Sequence, residues 1–245
     1  SSIEDFHADY TDTALQRCIG LYRGLHLAVF LESKGMRVIN SFQTTETCGN
    51  KLLTTLALEK AGVPTPKTIV SFTRESAMKS IENLGYPVVH KPLVGSWGRM
   101  VLALKDKHMA QAVFEMKEGL NNPLSQIYYI QEMIQKPERD IRGIVIDDQV
   151  IACVYRNPPP GEWRSNVARG ATTTRCPLTK ELEEIILKAA NAVGGGILGV
   201  DAMESQNGIT VHEVNSTVEF RGAASISDID ISESILNFAI NRDRR

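Results

Sequence analysis

Apolar positions along the chain follow two rhythms, a period of two and a period near 3.6, and the changeovers divide it into elements. Residues 13–19 read as a strand. Residues 21–33 read as a helix with Leu25, Ala28, Val29 and Leu31 inward, stopped by Lys34-Gly35. Residues 37–40 predict a short strand and 44–60 one helical stretch, which ends at Gly62 ahead of Pro64 and Pro66. Next come a strand over 68–72, a helix over 74–84 and a strand over 87–91. A Gly95-Ser-Trp-Gly98 turn then leads to a strand over 99–104, a helix over 106–117 and a strand over 127–134. Apolar strands over 140–146 and 150–156 flank Asp147-Asp148-Gln149, and Asn157-Pro-Pro-Pro-Gly-Glu-Trp-Arg164 is a loop. Leu182, Ile185, Ile186, Ala189, Ala190 and Val193 repeat at helical spacing, with Thr179 as N-cap and Gly194 at the stop. Two short strands around Asn207-Gly208 form a hairpin over 201–215, and a final amphipathic helix covers 229–240.

Strand–helix alternation before Pro64 predicts a parallel α/β unit at 1–64. A small α+β lobe at 65–130 and a larger lobe at 131–245 follow. The chain opens at Ser1, without Met, almost directly on a strand-like run, so the expectation is that a piece of the first unit precedes it.

Composition narrows the function classes. The 245 residues are 42% hydrophobic and 23% charged with a net charge of −2, an ordinary globular chain with no bias toward nucleic acid or membrane. No apolar run reaches bilayer length and no signal-peptide pattern opens the chain. Cys18, Cys48, Cys153 and Cys176 show no C-x-x-C spacing, which fits a reducing, cytoplasmic setting.

Candidate chemistry centres on the hairpin. Glu213 and Asn215 are two apart on one strand and therefore share a face, and the turn brings Asp201 back to them. Two carboxylates and an amide carbonyl are hard oxygen ligands that suit Mg²⁺. The same pattern also suits a polar edge hairpin with solvated acids. Lys91 ends a buried strand directly before the Gly95–Gly98 turn, an arrangement that can pair with phosphate oxygens, or be a plain hairpin turn. Lys51 lies in a helical stretch, where a lysine is more often a solvated surface residue. Gln131, Glu132, Met133 and Ile134 close the last strand of the small lobe at a hinge whose backbone could read an adenine edge, with Glu138 in reach of a ribose hydroxyl. Arg139, Arg142, Arg156, Arg164 and Arg169 cluster in a chain that is acidic overall. Of these, Arg142 and Arg156 sit inside apolar strands, where an unpaired guanidinium is costly. The histidines His7, His26, His90, His108 and His212 show no metal spacing and receive no role.

In order, Lys51, Lys91, the glycine turn, the hinge, Asp140-Ile-Arg142, Trp163-Arg-Ser-Asn-Val-Ala-Arg-Gly170 and Val211-His-Glu-Val-Asn215 resemble the ATP-grasp superfamily, and within it the RimK-like ligases, over essentially the whole chain. The resemblance implies an ATP-grasp fold with ATP between the two lobes. Its triphosphate would lie on Lys51, Lys91, Gly95, Ser96, Trp97, Gly98 and Arg99, with Asp140, Arg142 and Asn166 also at the nucleotide. Asp201, Glu213 and Asn215 would hold two Mg²⁺ ions. Such ligases phosphorylate a carboxylate to an acylphosphate, which an amine attacks to give an amide and ADP. Arg142, Arg169 and Lys91 would act at the transferring phosphoryl group.

After Asn215 the chain reads Ser-Thr-Val-Glu-Phe-Arg-Gly222, where the ribosomal-protein glutamylase has Asn-x-Ser-Pro-Gly. This segment, Leu21-Tyr-Arg-Gly24 and Cys48-Gly-Asn-Lys51 resemble the ligases of carrier-protein-dependent lysine and arginine biosynthesis. These join glutamate or α-aminoadipate to the C-terminal glutamate of a small acidic amino-group carrier protein and imply a homo-oligomer. Gly222-Ala-Ala-Ser-Ile226 departs from the aminoadipate-specific form, which directs the expectation toward glutamate. Substrate contacts are expected from Arg156, Val167, Ala168, Arg169, Gly170 and Ala171, and from Ser216, Thr217, Glu219, Phe220 and Arg221, with Arg221 on the distal carboxylate. The alternatives are an α-aminoadipate ligase or an enzyme with both activities, the ribosomal-protein glutamate ligase and, in another class, an ATP-binding assembly module without catalysis.

Overall fold

The computed structural model describes residues 13–120, 122–165 and 170–241, and its strands fall into three sheets. Strand β1 (Thr13–Leu15), helix α1 (Leu21–Ser33) and strand β2 (Arg37–Ile39) make a parallel pair with its crossover helix, as expected of a parallel unit. The predicted first strand stops early because Gln16 turns the chain: its Oε1 accepts from Cys18 N–H at 2.8 Å.

The expected single helix over 44–60 is two helices, α2 (Phe42–Gly49) and α3 (Lys51–Lys60). Asn50 separates them with extended backbone, and its side chain accepts from Leu52 N–H at 3.0 Å as the α3 N-cap. A helical periodicity does not register one capping residue that interrupts it. The break makes Lys51 the first residue of α3, with its N–H donating to Leu93 O at 2.9 Å.

The second sheet is antiparallel in the order β3 (Thr68–Ser71), β6 (Tyr128–Glu132), β4 (Val88–Lys91), β5 (Leu102–Leu104). Helices α4 (Arg74–Leu84) and α5 (Lys107–Glu118) cover it through Ala77, Ile81, Ala110 and Phe114, packed on Val88, Leu104, Tyr128 and Ile130. Strand β5 is shorter than the predicted 99–104 because Trp97, Gly98 and Met100 take left-handed backbone at φ 61°, 64° and 55°.

The third sheet is antiparallel in the order β11 (Gly208–Asn215), β10 (Ile197–Ser205), β7 (Asp140–Ile146), β8 (Gln149–Asn157), β9 (Thr172–Arg175). Strand β9, Thr-Thr-Thr-Arg, is an edge strand with no apolar alternation, so the sequence pattern passes over it. Helix α6 (Lys180–Ala192), capped by Thr179 as expected, buries Leu182, Ile186, Ala189 and Ala190 on one face of this sheet. The short helix α7 (Arg221–Ala224) and α8 (Ile231–Ile240) cover only part of the opposite face, over Ile144, Ile146, Val154 and Ile197. The uncovered part of that face carries the polar side chains. Asn40 joins the first unit to this sheet: its Nδ2 donates to Ile197 O (2.7 Å) and Ser216 O (2.6 Å), and its Oδ1 accepts from Ile197 N–H (2.7 Å). No helix among the described residues is long and apolar enough to cross a membrane.

Candidate active site

Strand register assembles the polar face. Asp201 of β10 lies opposite Glu213 on one side and Arg142 of β7 on the other, and Asp140 of β7 lies opposite Arg156 of β8. Directly opposed residues share a face and touch, so four strands place these groups side by side. Arg142 donates through Nε to Asp201 Oδ1 and through Nη2 to Oδ2, the latter at 2.9 Å, a two-pronged pair. Arg156 Nη2 lies 3.1 Å from Asp201 Oδ1, and Asn215 Nδ2 donates to Oδ2 at 3.3 Å. Gly199 keeps this arrangement open: a Cβ there would stand 3.0 Å from Arg142 Nη1 and 2.7 Å from Val218 Cγ2. Burial opposes ionisation of Asp201, but Arg142 and Arg156 outweigh it and hold the carboxyl well below the usual range.

The strand pairing slips by one residue between Asp201 and Ala202, so that Ala202 pairs with Val211 and Asp201 with Glu213. His212 is the extra residue of this β-bulge. It lines the cleft with its neighbour Glu213, and one ligand atom each from Asp201, His212 and Glu213 fall within 4.8 Å of one another. The His212 Nδ1 is buried without a hydrogen-bond partner. Metal-ligand spacing does not single out His212. The local signal is Val211 and Val214, which lie three apart yet pack in one core cluster, whereas residues three apart on a regular strand point to opposite faces.

A second set of groups faces this wall. Lys91, at the end of β4, donates to Gln131 Oε1 at 2.7 Å, and Gln131 Nε2 donates to Tyr129 Oη (2.7 Å) and Thr68 Oγ1 (3.0 Å). Burial lowers the Lys91 pKa to about 8, with Glu213 acting against the shift. Lys51 Nζ donates to Gly95 O at 2.9 Å and lies 3.3 Å from Glu213 Oε1. Lys136 Nζ is 2.8 Å from Asp140 Oδ1, and Ser165 Oγ donates to Asp140 Oδ2. Lys136 and Ser165 were absent from the expected set. Arg164 ties the glycine turn to the larger sheet's loop, with Nη1 3.4 Å from Gly98 O and 3.3 Å from Val101 O. Five cations, Lys51, Lys91, Lys136, Arg142 and Arg156, thus gather against three carboxylates, Asp140, Asp201 and Glu213. That surplus of positive charge suits a polyanion.

The wall separates two cavities. The narrower, about 110 Å³, brings together Lys51, Lys91, Gly95, Ser96, Trp97, Gly98, Arg99, Gln131, Glu132, Met133, Ile134, Asp140, Arg156, Asp201 and Glu213 of the expected set. The wider, about 640 Å³, lies on the other side, between residues 16–22 and 215–219. It shares Gly95, Ser96, Trp97, Asp201 and Glu213 and adds Arg142, Asn215, Ser216, Thr217 and Glu219. Arg142 and Asn215 face this second space, not the first. Arg156, expected on the substrate, lines the narrow cavity instead. Glu138 is exposed and lines neither cavity, and neither do Gly170, Ala171 and Phe220. Arg221 corrects the reading most: its side chain is 92% exposed, beside Glu219 at the start of α7, and cannot hold a carboxylate inside the cleft. Asn166, Val167, Ala168 and Arg169 lie outside the described residues.

The donor set fits a hard divalent cation. Two carboxylates converge at the wall with an amide beside them, and this chemistry suits Mg²⁺ held by few protein ligands together with phosphate oxygens.

The RimK-like ATP-grasp domain model matches residues 48–239. A glutamate–LysW ligase, ArgX, of Sulfolobus acidocaldarius is 36% identical over 231 residues, 94% of this chain and 82% of that protein. An α-aminoadipate–LysW ligase, LysX, of Saccharolobus solfataricus is 37% identical over 237 residues, 96% of this chain and 86% of that protein. Among solved structures, a RimK-domain ATP-grasp protein from Sphaerobacter thermophilus superposes with a TM-score of 0.82 at 23% identity, covering 98% of this chain and 86% of its own. ATP and Mg²⁺ serve ATP-grasp enzymes generally. The chain therefore belongs to the RimK-like ATP-grasp family, the ADP-forming ligases that make amide bonds.

Proposed function

We propose that this enzyme joins the amino group of glutamate to the side-chain carboxyl of the C-terminal glutamate of a small acidic amino-group carrier protein. The observation that carries the proposal is the similarity to a glutamate–LysW ligase over 94% of the chain. The two-cavity geometry supports it, since a shared wall lets a phosphoryl group pass from a nucleotide on one side to a carboxylate on the other. Lys91, Lys51 and the Gly95–Arg99 turn hold the triphosphate, and residues 131–134 face the base. Asp201, Glu213 and Asn215 would hold two Mg²⁺ ions, which when bound neutralise charge on the phosphoryl oxygens. Arg142, on the acceptor side, orients the acylated carboxyl and offsets its developing charge. The acceptor carboxylate attacks the γ-phosphorus and ADP leaves. The amine then attacks the acylphosphate carbon, losing a proton, and phosphate leaves as the amide forms.

The reading of 1–64, 65–130 and 131–245 as three units is supported by one sheet in each, with β6 carrying Gln131 and Glu132 past the second boundary. A second substrate reading, α-aminoadipate alone or beside glutamate, is supported by the equal similarity to LysX. The test is ADP release with glutamate or α-aminoadipate, each with and without the carrier protein. Release that requires both glutamate and carrier is expected. Release with α-aminoadipate only would transfer the assignment to the second reading, and release independent of the carrier would end both.

A further inference from the structure

The acceptor-side cavity needs fixed positive charge for a dicarboxylic amino acid, and among its described lining residues only Arg17 and Arg142 are cationic. Arg142 is committed through two nitrogens to the two oxygens of Asp201. Arg221, the sequence's candidate for this task, points into solvent. Arg17 remains. Its Nη2 donates to Val218 O at 2.9 Å, and its guanidinium sits 5.7 Å from the centroid of the Phe220 ring. Among the described residues it makes no ion pair within 4 Å, although the Glu219 carboxylate, which accepts from Arg221 N–H at 2.9 Å, acts on its charge from farther away.

The position of Arg17 is built. Gln16 beside it is 6% exposed and packs where Gly24 lacks a side chain, since a Cβ there would stand 2.2 Å from Gln16 Nε2. The same Gln16 turns the backbone at Cys18. Val218, which anchors the guanidinium, is fully buried. Arg17 is itself exposed, and its fork is tethered at the cavity rim by Val218 O, with its remaining nitrogens open to a planar anion. Ile19, Tyr22 and Trp97, all exposed, complete an apolar rim around it.

We propose that Arg17, contributed by the N-terminal unit, binds one of the two carboxylates of the acidic amino acid that supplies the amine. The inference rests on the proposed ligase reading and names a residue that reading had left unassigned. Arg17 comes from the 16–22 side of the cavity and not from the carboxylate wall, and the amino acid's carboxylates must lie off that wall while the amine faces the acylphosphate. The two requirements coincide.

Glutamate, glutamine and the α-amide of glutamate are titrated calorimetrically into wild type, Arg17→Ala and Arg17→Lys, with a non-hydrolysable ATP analogue and Mg²⁺ present. Loss of a charge-assisted pair predicts a roughly 10–100-fold weaker glutamate Kd in Arg17→Ala. Arg17→Lys should be intermediate, and the ATP-analogue Kd unchanged. Whichever amide lacks the carboxylate that Arg17 holds should bind wild type and Arg17→Ala equally. Unchanged glutamate affinity in Arg17→Ala would overturn the assignment. So would an equal loss for both amides, or a parallel loss of ATP-analogue binding, which marks a purely structural role. Turnover with the carrier is measured separately. Glutamate binding by wild type without turnover would reject the ligase reading while leaving Arg17 tested, and no binding of glutamate by wild type would reject both.

Discussion

The two cavities on either side of Asp201 and Glu213 are made differently. The nucleotide side is built from strand ends whose side chains are locked by buried bonds: Lys91 on Gln131, Gln131 on Tyr129 and Thr68, and Tyr129 on Thr55 at 2.7 Å. The acceptor side leans more on connections, 16–20 and 216–219, together with the first turn of α1 and residues of α2. It has an exposed apolar rim and, among its described lining residues, one cation without an ion pair within 4 Å, Arg17. The nucleotide side thus joins rigid strand ends to the Gly95–Arg99 turn. In the proposed function, recognition of a particular substrate draws on the connections of the other side, which can change without disturbing the sheets.

The strongest way to break this comparison is to remove the wall that both sides share. Asp201→Asn or Glu213→Gln should lower kcat by roughly 10³-fold. Asp201→Asn should also cost about 3–5 kcal/mol of stability, because Arg142 and Arg156 lose their buried counter-charge. Glu213→Gln, with Lys51 as its partner at 3.3 Å, keeps the catalytic test separate from folding. Turnover and a denaturant midpoint on both variants would check this. Kinetics left intact in either would remove the wall from the mechanism.

The next effect separates the two sides. Lys91→Ala should raise the ATP KM by roughly 10–100-fold while the glutamate KM moves little. Lys51→Ala should act in the same direction by about tenfold or less, since Lys51 already holds Gly95 O and Glu213. Equal changes in both KM values would mean that the two cavities are not functionally distinct.

A pH titration of stability, compared between wild type and a His90 variant, tests the small lobe. His90, buried on β4 with Nδ1 3.2 Å from Tyr129 O, has its pKa pulled down to about 4 by burial and then by Lys117. The unfolded chain therefore takes up this proton near the ordinary value of about 6.5 and the folded chain only near 4. Stability is complete above the unfolded value and should fall by about 3 kcal/mol as pH drops between the two. His90→Gln should remove the His90 share of that fall, as followed by denaturant midpoints, and leave the share of His212, whose pKa burial draws down to about 4 as well. The smallest expected effect is Arg221→Ala, where an exposed side chain should leave the glutamate KM within about twofold.

What could be read in the sequence follows the same division. The core helices and strands announced themselves by periodicity, and helices 21–33 and 74–84 and strand 140–146 have the expected bounds. The meeting of Asp201 with Glu213 and Asn215 followed from alternation together with one turn, whereas the register that brings Arg142 and Arg156 to the same face is long-range pairing that no local pattern encodes. The misses came where one residue overrides a period. Asn50 caps a new helix inside a helical run, and Gln16 bends a strand-like run. Arg17 and Arg221 carry identical side chains, and only the path of the loop decides which one faces the cavity. No pattern of apolar and polar residues encodes that path.

The bulge at His212 has a consequence best stated in terms of insertion and deletion. Delete His212, and the strand becomes regular: Val211 and Val214 alternate inward without help, and Glu213 still stands opposite Asp201. Neither the core nor the carboxylate pair needs the extra residue. Its single product is a neutral imidazole, its pKa drawn down to about 4 by burial, in the cleft wall beside the acids. A shorter hairpin would fold to the same sheet without that group. Chain length at this one point thus changes the composition of the cleft and leaves the architecture alone.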